Sequence, residues 1–128
     1  MMWNVLYEKL GLNIRNFLMI GNPSRIGEIL SAFRSDPKYL GGGFGVGFKE
    51  KLEYLDRVEP NDLKAVNIVV KEGDELTGYN TDAQGFVKSL EDKFAEFGTT
   101  LNGKNIVVYG AGGVAKEVTK LIDFQHCL

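Results

Sequence analysis

The sequence has few of the residue types on which several kinds of chemistry depend. Its 128 residues include one cysteine and one histidine, Cys127 and His126, both close to the end. A single cysteine excludes an internal disulfide, and no cysteine–histidine cluster has the spacing of a metal site. Nucleophilic catalysis by a Ser–His or Cys–His pair would have to use that terminal histidine, so we do not expect it.

The chain also lacks a strong charge of either sign and a long apolar run. Its formal net charge is -2, and lysine and arginine form no block, which argues against nucleic acid as a partner. No apolar run approaches the roughly 20 residues that cross a bilayer, and the first residues carry Glu8 and Lys9 rather than a secretory core. We therefore expect a cytoplasmic protein with no nucleic-acid partner and no membrane partner.

Apolar residues at helical and strand-like spacing alternate along the chain, which predicts an α/β fold. The first part predicts a helix, a buried strand over residues 16–20 and a second helix capped by Asn22. Residues 65–70 and 76–80 then predict a hairpin around a polar turn. A capping box over residues 81–84 opens a further helix.

Two clusters of glycine interrupt this pattern. Of the 16 glycines, five lie within residues 41–47, which is too many for an ordinary strand interior because glycine packs no side chain. We interpret the run as a place where the backbone approaches another group closely, and we expect a short helix over residues 48–54. The second cluster follows residues 106–109, an apolar run typical of a strand buried in a parallel sheet.

This second cluster fits the pattern G-x-G-x-x-A. Its residues are Gly110, Ala111, Gly112, Gly113, Val114 and Ala115. A strand is predicted before it and a helix after it, which is the context of a dinucleotide-binding loop. The helix start would offer free N–H groups and a partial positive charge to a pyrophosphate. A glycine-rich turn without a ligand is the alternative, and the residue that would separate NAD from NADP is not identifiable.

Three polar residues stand at the ends of apolar segments, where a site could form: Lys49, Asn67 and Asp82. Each also has a structural explanation, as a solvated charge, a partner for nearby backbone and a helix-capping charge respectively. If the three came together, the lysine and the aspartate could exchange a proton while the asparagine held a hydroxyl.

Four segments resemble, in the same order, those of one known family, the shikimate dehydrogenases. Residues 48–50 resemble its F-K-E segment, residues 65–67 its A-V-N strand, residues 78–86 its G-x-N-T-D-x-x-G-F segment and residues 110–113 its G-A-G-G loop. Each motif alone is weak, but their common order and spacing extend over nearly the whole chain.

The resemblance implies a substrate-binding α/β domain with a mixed sheet over residues 1–99, followed over residues 100–128 by the first β-α unit of a Rossmann domain. This family reduces 3-dehydroshikimate to shikimate with NADPH, on the route to aromatic amino acids. By the same resemblance, Lys49 is the catalytic lysine, Asp82 its partner and Asn67 a substrate ligand. The glycine loop would hold the pyrophosphate of NADP, with NAD not excluded.

The sequence departs from the family in two respects, which keep alternatives open. Residues 43–47 read G-F-G-V-G where the family has N-V-T-x-P. The family's opening strand, with its serine pair, would precede residue 1, and most of its cofactor domain would follow residue 128. The alternatives are therefore a fragment of the enzyme, a non-catalytic binding or regulatory relative, and a dehydrogenase for quinate or an amino-shikimate analogue. A homodimer is one oligomeric state that the sequence allows.

Overall fold

The computed structural model describes residues 2–110 and 112–126, which form four helices, four strands and two short 3₁₀ turns. In chain order these elements are α1 (Met2–Lys9), a 3₁₀ turn (Pro23–Arg25), α2 (Ile26–Ser35), β1 (Gly41–Gly43), a 3₁₀ turn (Leu52–Tyr54), β2 (Arg57–Glu59), β3 (Ile68–Glu72), β4 (Glu75–Tyr79), α3 (Asp82–Glu96) and α4 (Gly113–His126). None of the helices in this described part is long and apolar enough to cross a membrane.

The four strands form one mixed sheet in the order β1-β3-β4-β2. Strands β3 and β4 are the predicted hairpin, and they join through a tight turn in which Gly73 has a φ of +67°. Strand β1 runs antiparallel to β3, whereas β2 runs parallel to β4. The α/β class and the mixed sheet expected from the sequence are thus confirmed.

The core lies between this sheet and α2. Asn22 caps the 3₁₀ turn that leads into α2, because its side chain accepts a hydrogen bond from the backbone N–H of Ser24. The α-helix itself begins later than predicted, at Ile26, and its N-cap residue Arg25 makes no side-chain capping bond. Its inward residues Ile26 and Leu30 pack with side chains of the hairpin and of the preceding loop. The buried members of this cluster are Ile26, Leu30, Leu63, Val66, Val69 and Leu76. Each fully buried aliphatic side chain stabilises the fold by about 1.5–3 kcal/mol.

The first three residues of the glycine run over residues 41–47 form the edge strand β1, and the backbone there does approach a neighbour closely. Gly41 has a φ of +152°, and a Cβ placed on it would lie 2.5 Å from the carbonyl oxygen of Val69. Only glycine fits that position without strain. The prediction of close approach was right, and the part of the run that does form a strand, Gly41–Gly43, lies at the edge of the sheet rather than in its interior.

Two predicted strands are absent. Residues 16–20 and 106–109 lie outside the sheet, and Ile20 and Val107 are each 92% exposed. A strand is stable only beside another strand that accepts its hydrogen bonds, and neither segment has such a neighbour within the described residues. The Asn4 side chain instead bonds both backbone groups of Asn16, at 3.0 and 2.6 Å.

Two local predictions also need correction. Thr81 precedes α3, but its side chain makes no capping bond to the helix, so the predicted capping box does not form. Residues 48–54 contain only one 3₁₀ turn rather than a helix. The Lys49 carbonyl accepts from the backbone N–H of Val66 at 2.8 Å, so it is not available to continue a helix.

The helix predicted after the second glycine cluster is present as α4, which packs on α3. Its buried residues Val118 and Ile122 contact Ala83 and Val87 of α3. A further link runs from Lys120 Nζ to Asp62 Oδ2, at 3.1 Å. The division into domains at residues 1–99 and 100–128 stays a prediction.

Candidate active site

The site is built where β3 begins and β4 ends. Because these strands are antiparallel neighbours, the residue before β3 lies beside the last residue of β4, and the Asn67 N–H donates to the Tyr79 carbonyl at 2.9 Å. Asp82 follows as the first residue of α3. Lys49 comes from the turn before the second 3₁₀ element. Three separate segments therefore bring their polar side chains to one end of the hairpin.

The structure brings together Lys49, Asn67 and Asp82. Lys49 Nζ lies 2.5 Å from Asp82 Oδ2, and Asn67 Nδ2 donates to Asp82 Oδ1 at 2.6 Å. Each carboxylate oxygen therefore has its own donor. The lysine and aspartate side chains are 30% and 31% exposed, so a ligand can reach the pair from solvent.

Thr81 fixes the orientation of the Asn67 amide. The Thr81 backbone N–H donates to Asn67 Oδ1 at 2.9 Å, and Asn67 Nδ2 donates to Thr81 Oγ1 at 3.0 Å. From the sequence alone, Thr81 was assigned only to the capping box. Its pairing with Asn67 depends on a contact between residues 14 positions apart, which no local pattern shows.

Asn80 is a second residue that the sequence reasoning missed. Its Oδ1 accepts from the Asp82 backbone N–H at 3.0 Å, which is an Asx turn leading into α3. Its Nδ2 donates to the Ala65 carbonyl, also at 3.0 Å. The first of these bonds follows a common local pattern, in which an asparagine stands two residues before the N–H it caps. The second bond needs the fold.

Two sources of positive potential face the Asp82 carboxylate. Asp82 stands at the N-terminus of a 15-residue helix, where the helix dipole attracts negative charge. The ammonium of Lys49 adds a full positive charge at hydrogen-bond distance. An amine and a carboxylate in this geometry can pass a proton to or from a ligand oxygen, and an adjacent amide can hold a neighbouring hydroxyl.

The glycine loop before α4 has an open backbone. Gly110 has a φ of +126°, and a Cβ placed on Gly110 or Gly112 would meet no atom within 4 Å. Helix α4 begins at Gly113, and the first N–H groups of any helix have no acceptor within the helix. Ala111 lies outside the described residues. The role of this loop in binding a pyrophosphate stays a prediction.

One groove connects α3 with the region of the glycine loop. Phe86, one helical turn after Asp82, lines the same groove as Val114 and Ala115 of α4. The helix that begins with the candidate catalytic carboxylate thus also borders the loop that resembles a nucleotide site.

Curated relatives with strong similarity to this chain are named shikimate dehydrogenase (NADP(+)). No protein-family model matches the chain. The shikimate dehydrogenase (NADP(+)) of Geobacillus kaustophilus is 35% identical over 124 residues, which cover 92% of this chain and 42% of that protein. That of Symbiobacterium thermophilum is 39% identical over 99 residues, which cover 75% of this chain and 32% of that protein. The chain is a homologue of the shikimate dehydrogenases.

Solved structures agree with this relationship. Shikimate dehydrogenase from Aquifex aeolicus matches with a TM-score of 0.79 and 34% identity, over 92% of this chain and 45% of that one. The 5-ketofructose reductase of Gluconobacter sp. strain CHM43 matches with a TM-score of 0.80 and 25% identity, over 98% of this chain and 44% of that one. This shikimate dehydrogenase homologue spans about two fifths of the length of the curated relatives it matches, for example 42% of the Geobacillus kaustophilus enzyme and 40% of the Geobacter metallireducens enzyme.

Proposed function

We propose that this chain carries the substrate-binding and proton-transfer part of a shikimate dehydrogenase, which reduces 3-dehydroshikimate reversibly to shikimate with NADPH. The observation that supports the proposal is the contact of Lys49 Nζ with Asp82 Oδ2 at 2.5 Å, in a homologue of NADP(+)-dependent shikimate dehydrogenases. The same carboxylate also accepts from the Asn67 amide.

In the proposed reaction, Lys49 and Asp82 move the proton at the oxygen that changes between ketone and hydroxyl. The Lys49 ammonium has three N–H donors and uses one of them in its hydrogen bond to Asp82. Its other donors remain for a substrate oxygen. Asp82 orients the amine and balances its charge. Both ends of the Asn67 amide are already engaged, since Nδ2 donates to Asp82 and Thr81 and Oδ1 accepts from the Thr81 backbone N–H. Asn67 would bind a neighbouring hydroxyl through the second lone pair of Oδ1.

The cofactor proposed for this reaction is NADP, which the names of the curated relatives specify. The residues that would hold its pyrophosphate are Gly110, Ala111, Gly112, Gly113, Val114 and Ala115. When bound, the nicotinamide supplies or accepts the hydride. The backbone N–H groups at the start of α4 would supply the binding, since a helix N-terminus attracts phosphate. NAD stays the alternative cofactor.

A second candidate is a dehydrogenase that acts on another polyhydroxylated substrate, for example one that oxidises quinate. Gly45 favours it, because it stands where the resemblance expects a substrate-binding threonine, and a Cβ there would meet no atom within 4 Å. The likeness to 5-ketofructose reductase shows that this fold occurs in a protein named for a different ketone. A relative that binds the ligand without catalysis is the third alternative.

We further propose that the protein acts in the cytoplasm and has no nucleic-acid partner, because the net charge is -2 and basic residues form no block. A homodimer is the proposed oligomeric state, which sedimentation would test.

The experiment combines shikimate calorimetry with a turnover assay that follows NADP⁺ reduction. We expect shikimate to bind, and Lys49→Met to lower turnover by about 10²–10⁴-fold, the usual contribution of a positioned proton donor. Lys51→Met is the matched control, two residues away and without a side-chain bond among those described. If the wild type reduces NADP⁺ and both variants do so at the same rate, the role of Lys49 is rejected, whereas turnover with quinate alone would favour the second candidate.

A further inference from the structure

Asn80 connects the segments that carry the site, and both ends of its side-chain amide are used. Nδ2 donates to the Ala65 carbonyl and Oδ1 accepts from the Asp82 N–H, each at 3.0 Å. Ala65 is 4% exposed, so its carbonyl cannot exchange this bond freely for water. Asn80 therefore links the loop before β3 to the first residue of α3.

The same connection reaches Lys49. Val66, the residue after Ala65, donates its backbone N–H to the Lys49 carbonyl at 2.8 Å. One short path of backbone and hydrogen bonds thus runs from Lys49 through residues 65–66 and Asn80 to Asp82. The two charged side chains are 33 positions apart in the sequence, and their contact depends on the relative placement of these segments.

We propose that Asn80 is a positioning residue that sets the distance between Lys49 and Asp82 and acts without touching the substrate. The proposal deepens the proposed function, because it names the residue on which the geometry of that site depends. A plain helix cap would also bond the Asp82 N–H, but it would have no need for the second bond to Ala65. Losing a plain cap would lower stability and leave the contacts of the Asp82 carboxylate intact.

The side-chain amide of Asn67 gives a spectroscopic signal that separates these roles. Its Nδ2 donates to Asp82 Oδ1 at 2.6 Å, so its NMR resonance reports whether the carboxylate is in place. We would record this resonance in the wild type, in Asn80→Ala and in Asp82→Ala. The Asp82→Ala spectrum gives the chemical shift of the Asn67 amide when the carboxylate is absent. Gln84→Ala is the control, since Gln84 is exposed on the first turn of α3.

We expect the Asn67 signal of folded Asn80→Ala to move most of the way to its Asp82→Ala position, while Gln84→Ala leaves it unchanged. If Asn80→Ala does not fold, Asn80→Asp replaces it, since an aspartate keeps the acceptor for the Asp82 N–H and loses the donor to Ala65. An unmoved Asn67 signal in either folded variant would overturn the proposal.

Shikimate binding is a second measurement, and it separates a failure of the proposed function from a failure of the role assigned to Asn80. We expect Asn80→Ala to weaken shikimate binding about tenfold, which corresponds to about 1.4 kcal/mol. If the wild type binds no shikimate, the proposed function fails, but the Asn67 signal still decides the role of Asn80. If shikimate binds the wild type and Asn80→Ala equally, the positioning role is wrong and the proposed function stands.

Discussion

Removing the two partners of the Lys49–Asp82 pair should have unequal effects on stability. Asp82 accepts from Lys49 and from Asn67 and also stands at the start of α3, so three favourable interactions end at its carboxylate. A charge at a helix N-terminus contributes about 0.3–1 kcal/mol, a net hydrogen bond about 0.5–1.5 kcal/mol and an exposed ion pair about 0–1 kcal/mol. Because the pair is about a third exposed, we expect Asp82→Ala to cost about 1–2 kcal/mol.

Lys49→Met removes only the ion pair and keeps the apolar stem. The carboxylate it leaves behind still accepts from Asn67 and still faces the helix dipole. We therefore expect this change to lower the free energy of unfolding by no more than about 1 kcal/mol. Urea unfolding at neutral pH, followed by circular dichroism, measures both variants. If Lys49→Met costs as much as Asp82→Ala, the reasoning about the carboxylate is refuted.

Three further predictions concern positions outside the charged pair. Gly78→Ala should destabilise the fold by about 1–3 kcal/mol in urea unfolding, because its Cβ would lie 2.6 Å from Leu55 Cδ1; an unchanged midpoint would contradict this. Gly41→Ala should lower the free energy of unfolding by more than about 1 kcal/mol because of its positive φ, whereas Gly45→Ala should leave it nearly unchanged. Equal losses of stability in the two variants would contradict this difference. The pKa of Asp56 in the folded chain is lowered, chiefly by the backbone N–H of Leu76 that its carboxylate accepts from. The ionised carboxylate therefore stabilises the fold at pH values above the pKa of the unfolded chain, and this contribution is lost as the pH falls through the lower pKa of the folded chain. The stability difference between the wild type and Asp56→Asn should therefore shrink in acid, and a constant difference from neutral pH to pH about 2 would exclude this linkage.

Local sequence patterns predicted the elements whose stability depends on near neighbours. The hairpin depends on a polar turn between a β-branched run and a second short strand, and α2 on an apolar face that follows the Asn22-capped turn, so both were predictable. Residues 16–20 and 106–109 have equally apolar composition and are not strands. Strand formation requires a partner elsewhere in the chain, and composition carries no information about whether that partner is present.

The candidate site was predictable in its principal residues and not in its supporting ones. The resemblance placed Lys49, Asn67 and Asp82 together, and their side chains are in contact. Their catalytic and binding roles stay predictions. The bonds of Thr81 to Asn67 and of Asn80 to Ala65 span 14 and 15 positions, so they emerge only once the two ends of the hairpin meet.

The most direct test of the central claim is an NMR titration of the labelled chain with shikimate. If Lys49, Asn67 and Asp82 form one substrate site, the backbone signals of these residues and the Asn67 side-chain amide should shift together and give a single Kd. Asp82→Ala should weaken that Kd markedly. Shifts confined to other parts of the chain, or none at saturating shikimate, would contradict the account.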